Sequence, residues 1–173
     1  QERYLSTSPS IVVVDDILTP AALAELRAEA LWRTAWHEDK PNYAGGYLPN
    51  GFTPRALLLL AGLLQARLPR IVPPELKLMQ AWGYKYGQGE RAGIGIHADI
   101  AVVNINLWIT PDDANEGSVE TGTGGGLVIY KTKAPDEWTF EEYNDLAHEE
   151  ERARLLDASD DGFVRVPHKQ YRI

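Results

Sequence analysis

The chain has no cysteine, which excludes disulfide frameworks, zinc held by thiolates and thiol catalysis. Basic residues are also scarce: 17 Lys and Arg stand against 25 Asp and Glu, a net charge of −8. A nucleic-acid backbone is therefore disfavoured as the main partner, because phosphate binding needs clustered positive charge. No run of about 18 uninterrupted apolar residues occurs, so no membrane span is predicted. The first residues, Gln1-Glu2-Arg3-Tyr4, lack the apolar core of an export signal, and there is no Asn-x-Ser/Thr glycosylation acceptor. These absences predict a cytoplasmic protein with no membrane partner. They leave His, Asp, Glu and Tyr as the groups available for metal or acid-base work.

What is present suits one buried core. The 173 residues are 44% hydrophobic, enough for a single domain over 1–173 and too few for two comfortable ones. Ile11-Val12-Val13-Val14 reads as a first strand. Thr19 as N-cap and Pro20 at the first helical position open a helix to about Arg33, with Leu23, Leu26, Ala30 and Leu31 on one face. The same punctuation at Thr53-Pro54 opens a second helix through Leu57, Leu60, Leu64 and Leu68, which Pro69 stops. Pro41 to Gly51, rich in Gly, Pro and Asn, reads as the loop between them.

After Leu76 the character changes to strands and turns, an order that fits an α+β or mainly β domain with helices buttressing a barrel. Gln80, Trp82, Tyr84 and Tyr86 alternate onto one face. Ile100 to Ile109 reads as a nearly continuous buried strand carrying Asn104 and Asn106, and further strands are predicted at Gly126 to Tyr130, Phe163 to Val166 and Gln170 to Ile173. Glycine-rich segments at Gly87 to Gly95 and Gly122 to Gly126 suggest a lid and a flap. A helical insertion is predicted at about 136–158, its Glu149-Glu150-Glu151-Arg152 run forming a solvated face. The strands after Leu76 are too few to close a barrel, so the pattern predicts either further residues beyond Ile173 or segments missing from within the chain.

The chemistry concentrates at His97 and Asp99. In an extended strand residues i and i+2 share a face, so this imidazole and carboxylate can reach one metal ion. Neutral imidazole plus carboxylate, completed by one distant donor, is the facial arrangement that holds non-haem Fe(II) and leaves positions open. Two more histidines lie downstream: His148 falls in the charged helix, and His168 follows Val166-Pro167 at a strand-to-turn position where a surface role is the commoner reading. Asn104 and Asn106 sit in an apolar strand, where an amide either lines a pocket or satisfies neighbouring backbone. Arg165, Lys169 and Arg172 form a small basic set that either offsets a carboxylate or solubilises the surface.

Tyr86-Gly87, His97-Ala98-Asp99, Asn104-Ile105-Asn106-Leu107-Trp108-Ile109-Thr110-Pro111-Asp112 and Gly125-Gly126-Leu127-Val128-Ile129-Tyr130 together resemble the Fe(II)/2-oxoglutarate-dependent dioxygenases of the prolyl-hydroxylase-like kind. The resemblance runs from about Ile11 to Ile173. It implies a double-stranded β-helix, or jelly roll, buttressed by the two amino-terminal helices, and Fe(II) held by His97, Asp99 and a more distal His. That distal His and the carboxylate-binding Arg would fall shortly after Ile173. It also implies 2-oxoglutarate as co-substrate, with Tyr84, Tyr86, Asn104 and Asn106 as candidate contacts; Tyr86 either reaches the co-substrate through its hydroxyl or packs as a core aromatic. The reaction implied is hydroxylation of a small-molecule or peptidyl substrate by dioxygen, with release of succinate and CO2. Two other readings stay open: a cupin-type metal enzyme that uses no 2-oxoglutarate, and a non-catalytic jelly-roll binding module.

Overall fold

The computed structural model describes residues 1–33, 35–40, 43–86, 95–115, 117, 124–159 and 162–173. Among the described residues it is an α+β arrangement of four α-helices and two small antiparallel sheets. Two compact units form, Gln1–Leu5 with Asp16–Gly93 and Ser6–Asp15 with Ile94–Ile173.

In the first unit a short helix α1 (Glu2–Ser6) precedes α2 (Pro20–Trp32) and α3 (Arg55–Arg67). Thr19 caps α2 as its sequence predicts, its Oγ1 accepting the Ala22 N–H at 3.2 Å. The second helix opens one residue later than Thr53-Pro54 implies and has no side-chain cap of its own. Its cap comes from α2: the Glu29 carboxylate accepts the Arg55 N–H at 3.2 Å while its other oxygen receives Arg33 Nε at 2.8 Å. An anion at a helix amino terminus is stabilised by the exposed N–H groups there. Leu23 and Leu26 of α2 and Leu60 and Leu64 of α3 are buried, with Phe52, Ile71 and Ala81, and form the core of this unit; Leu31, expected on the buried face, is half exposed.

The three-stranded sheet runs in the order β1 (Glu38–Lys40), β2 (Tyr43–Tyr47), β3 (Trp82–Tyr86). The middle strand lies inside the segment that composition marks as a loop; Pro41 and Asn42 of that segment are outside the described residues. Its glycines serve packing here. A Cβ on Gly46 would stand 3.1 Å from both the Ala35 carbonyl and the Phe52 ring, and one on Gly83 opposite would stand 2.7 Å from that same ring. The paired register Gly46↔Gly83 thus makes the hollow in which Phe52 is buried.

The second unit holds β4 (Gly126–Tyr130) paired with β5 (Phe163–Pro167), both where the sequence places strands. Gly126 has φ 137, and a Cβ there would meet the Val166 carbonyl at 2.3 Å, so only glycine starts this ladder. Between the strands the expected helix over 136–158 shrinks to α4 (Glu149–Asp157), preceded by a 3-10 turn at Leu146–His148. The first half is built of hydrogen-bonded turns. Thr139 and Glu142 form a reciprocal capping box, with Thr139 N–H donating to Glu142 Oε2 at 2.6 Å and Glu142 N–H donating to Thr139 Oγ1 at 3.3 Å. Asp145 Oδ1 then accepts the Ala147 N–H at 3.0 Å, and this side chain competes with helix continuation.

Three expected strands are not formed as such. Ile11–Val14, Ile100–Ile109 and Gln170–Ile173 are joined by local backbone pairs: Val14 and Ile173 exchange hydrogen bonds of 2.9 and 3.0 Å, and Trp108 bonds with Arg172 and Tyr171 at 3.1 and 3.0 Å. Tyr171, at φ 66, breaks the extended run. Ile100, Val102 and Ile105 are exposed, contrary to the buried strand that their side chains suggest. Of the Glu149 to Arg152 run, the three glutamates are exposed as expected, but Arg152 is buried.

Candidate functional site

Residues 95–99 do not form a strand, yet the two side chains that the i, i+2 argument pairs do converge. His97 Nε2 lies 3.9 Å from Asp99 Oδ1, with the side chains 42% and 31% exposed, open enough for an ion to enter. His97 Nδ1 donates to the Gly95 carbonyl at 2.8 Å. A carbonyl only accepts, so Nδ1 carries a proton, and in the neutral ring Nε2 is then the lone-pair nitrogen, on the side of the Asp99 carboxylate. This is the usual state of a metal-ligating histidine, whose second nitrogen is fixed by a backbone carbonyl. Two donors each about 2.1 Å from a shared divalent ion at a right angle stand about 3 Å apart, so the pair needs to close by about 1 Å. That movement is within the reach of a side-chain torsion. Among the described residues no third His, Asp or Glu completes a three-donor cluster with them.

The residue between the pair is gripped from a distance. Asn144 Oδ1 accepts the Ala98 N–H at 2.8 Å, and Asn144 Nδ2 donates to the Ala98 carbonyl at 2.9 Å. Asn144 sits on the turn set by the Thr139–Glu142 box, and Thr139's backbone N–H holds the Glu142 carboxyl below the ordinary carboxylate range. Arg152, 6% exposed, closes the same turn from α4, with Nη1 donating to the Asp145 carbonyl at 2.6 Å and the Glu142 carbonyl at 3.4 Å. Sequence reasoning passes over Asn144; the Thr-x-x-Glu signature at 139–142 is the signal that marks its turn.

A second polar cluster involves the carboxy-terminal segment. Arg172 forks onto Asp15, with Nε to Oδ1 at 2.6 Å and Nη2 to Oδ2 at 3.1 Å, and Lys169 Nζ reaches the same Oδ2 at 2.9 Å. Two of the three cations of the expected basic set are thus engaged with Asp15, while the third, Arg165, lies over the Phe163 ring. His168 is 8% exposed at its side chain, stacked edge-on against Trp108, with Nδ1 3.6 Å from Asp112 Oδ1. It is buried, not the surface residue that its turn position suggests, and neither ring nitrogen finds a hydrogen-bond partner among the described residues.

These environments predict acid sensitivity in two steps. Burial pushes the His168 imidazole below its usual value of 6.5, an effect that Asp112 opposes and Arg172 reinforces. The unfolded chain then binds a proton that the folded one resists, so stability falls as pH drops below about 6.5. Hydrogen bonds from Arg172 and then Lys169 hold the Asp15 carboxyl far below its usual 3.8. Its contribution is full above 3.8 and is lost as acid protonates it. Melting midpoints followed from about pH 8 to about pH 3 should show both declines, and His168→Phe should flatten the upper one alone. An upper decline unchanged in that variant would refute the assignment.

The other expected site residues are placed as follows. Tyr84 and Tyr86 belong to β3 of the first unit, within an aromatic cluster: Tyr84 packs edge-on against Tyr43 and Tyr47 at ring separations of 4.9 and 6.4 Å. Tyr86 is 48% exposed, its phenol pushed up by burial of the hydroxyl and by Tyr43, so it stays a donor at neutral pH. Asn104 and Asn106 are exposed, and among the described residues no hydrogen bond joins them to the His97 or Asp99 side chain. His148 packs its ring against Trp138. The glycine-rich lid at residues 87–94 and the flap at 122–123 lie outside the described residues. A small open pocket in the first unit is lined by Arg33, Ala35, His37, Asn50 and Gly51, none of them expected as site residues. Among the described residues no helix is long and apolar enough to cross a membrane. Comparison of the chain with protein-family models, curated proteins and solved structures finds no match.

Proposed function

We propose that the chain is an Fe(II)- and 2-oxoglutarate-dependent oxygenase built on a double-stranded β-helix, hydroxylating a small-molecule or peptidyl substrate in the cytoplasm. The observation that carries the reading is the convergence of His97 Nε2 and Asp99 Oδ1, with the imidazole tautomer fixed by the Gly95 carbonyl. Those two side chains would hold the iron, and the iron with 2-oxoglutarate and dioxygen would supply the oxidation.

The chain's own part is binding, orientation and proton bookkeeping. Asp99 would contribute the negative charge that offsets a dication, and His97 an imidazole nitrogen donor. Tyr86, kept protonated by the burial of its hydroxyl, is suited to donate a hydrogen bond to a co-substrate carboxylate. Tyr84 buttresses it through Tyr43, whose ring contacts both. Asn104 and Asn106 supply amides suited to a polar substrate or to the co-substrate.

The full-length protein, incubated aerobically with Fe(II) and 2-oxoglutarate, should form succinate, and a chelator should stop it. If the protein binds neither iron nor 2-oxoglutarate, the oxygenase reading falls and a binding module replaces it. If it binds metal but never consumes 2-oxoglutarate with any candidate substrate, a cupin-type enzyme replaces it.

A further inference from the structure

We propose that Asn144 is the positioning residue of the His97–Asp99 metal site, acting through the backbone of Ala98. The inference rests on the reading of that pair as metal ligands. A primary amide carries a donor and an acceptor in one plane, and Asn144 offers both to a single residue: 2.8 Å from the Ala98 N–H to Oδ1 and 2.9 Å from Nδ2 to the Ala98 carbonyl. This two-bond exchange is what a neighbouring strand gives a paired residue in an antiparallel ladder. Residues 95–99 have no such ladder, and Asn144 takes its place.

The consequence falls on the flanking side chains. Ala98 stands between the two ligands, so its φ and ψ set the relative directions of the His97 and Asp99 side chains. With both peptide groups of that link tethered, the imidazole and carboxylate are held on one side although no strand alternation enforces it. The Ala98 side chain is exposed and packs little, so the hydrogen bonds are the restraint. The tether is firm at its other end too, because the Thr139–Glu142 box and the Arg152 guanidinium fix the turn from which Asn144 projects.

Among the other side chains only Gln carries the same donor and acceptor, one methylene further out. Titration of the full-length protein with Co(II), followed by its visible ligand-field spectrum, reads both affinity and geometry. Removing a group that orients a metal ligand costs about 10-fold to 100-fold in affinity, and Asn144→Ala should fall near about 10-fold because it acts through backbone. Its spectrum at saturation should differ from wild type, and Asn144→Gln should recover part of both. Leu64→Ala, a core truncation in the first unit, is the control: it should lower the melting temperature while leaving affinity and spectrum unchanged.

If wild-type protein binds no Co(II), the metal reading falls and takes this inference with it. If wild type binds and Asn144→Ala matches it in affinity and spectrum, the inference alone falls. It also falls if Leu64→Ala weakens binding as much as Asn144→Ala, since the effect would then be one of general stability. Should Asn144→Ala fail to fold, Asn144→Asp, which keeps the acceptor and loses the donor, decides: an affinity and spectrum identical to wild type overturn the positioning role, and a weakened, altered site supports it.

Discussion

Asp99→Ala should abolish succinate formation and lower divalent-metal affinity by on the order of 100-fold or more, while leaving the fold as stable as before. The two halves of that expectation come from the same geometry. Asp99 is the charged member of the pair, and a dication loses its counter-charge when that carboxylate is removed. In the metal-free protein, however, the lone pair of His97 Nε2 and the acceptor oxygen of Asp99 are 3.9 Å apart with the ring proton committed to Gly95. With the ring neutral, two acceptors in that arrangement repel weakly. Taking one away is therefore worth within about 0.5 kcal/mol either way, as at other partly exposed positions without a hydrogen-bond partner to lose.

The measurement pairs a thermal melt with a metal titration. Any ion that binds only the folded state stabilises it by about 2.7 kcal/mol at a hundred times its dissociation constant. Wild-type protein should thus melt higher as Mn(II) is added, with Mn(II) standing in for oxidation-prone Fe(II). Asp99→Ala should melt at one temperature throughout. His97→Ala should behave alike, and Asp99→Asn, which keeps the shape and loses the charge, should respond only at far higher metal. A melt that rises equally in wild type and Asp99→Ala would place the bound ion elsewhere.

The elements that could be read from sequence are those whose signals are local. Thr19-Pro20 declares α2 because a hydroxyl cap and a missing N–H both suit a helix start, and β3, β4 and β5 announce themselves by β-branched or aromatic runs. The centre strand β2 could not be read, since Tyr43-Ala44-Gly45-Gly46-Tyr47 has the composition of a loop. Gly46, with Gly83 of β3 opposite, is there to admit Phe52, a residue outside both strands it packs against. The capping of α3 by Glu29 is likewise non-local, spanning from one helix to the next.

For the candidate site the same division holds. Spacing alone indicated that His97 and Asp99 share a side, although the physical cause differs from the strand alternation assumed. What holds them is a side chain 46 positions from Ala98, and a single sequence carries no record of that pairing. The helical period of 136–158 hid the site's support as well. Apolar residues recur at helical spacing there, but the capping box and the Asp145 side chain spend their hydrogen bonds on separate turns. His168 was misplaced for a related reason, because burial of a turn residue depends on what folds over it.

Arg152→Met should cost about 3 kcal/mol, the largest stability loss expected from any single charged residue here. The side chain lies in a run of four charged residues whose other three members are solvated, yet it is 6% exposed. Its guanidinium donates to the carbonyls of Asp145 and Glu142; the Asp145 carbonyl also accepts the His148 N–H at 3.2 Å, so the Glu142 carbonyl is the one left without a partner among the described residues. A hydrogen bond from a charged donor is worth roughly 1.5–3 kcal/mol, and methionine keeps the packing of the aliphatic stem so that the loss isolates the hydrogen bonds. In a chain of this length about 3 kcal/mol corresponds to a melting temperature lowered by roughly 6–12 °C. Arg152→Lys should fall between, since both bonds come from Nη1 alone and an ammonium, with its shorter reach, can approach the two carbonyls but meets them less well. Because Arg152 fixes the turn that presents Asn144, the change should also weaken Co(II) binding. Combining it with Asn144→Ala should add little further loss of affinity, the non-additivity expected of residues that act through one tether. A full sum of the two single effects would mean that Arg152 and Asn144 reach the site by separate routes.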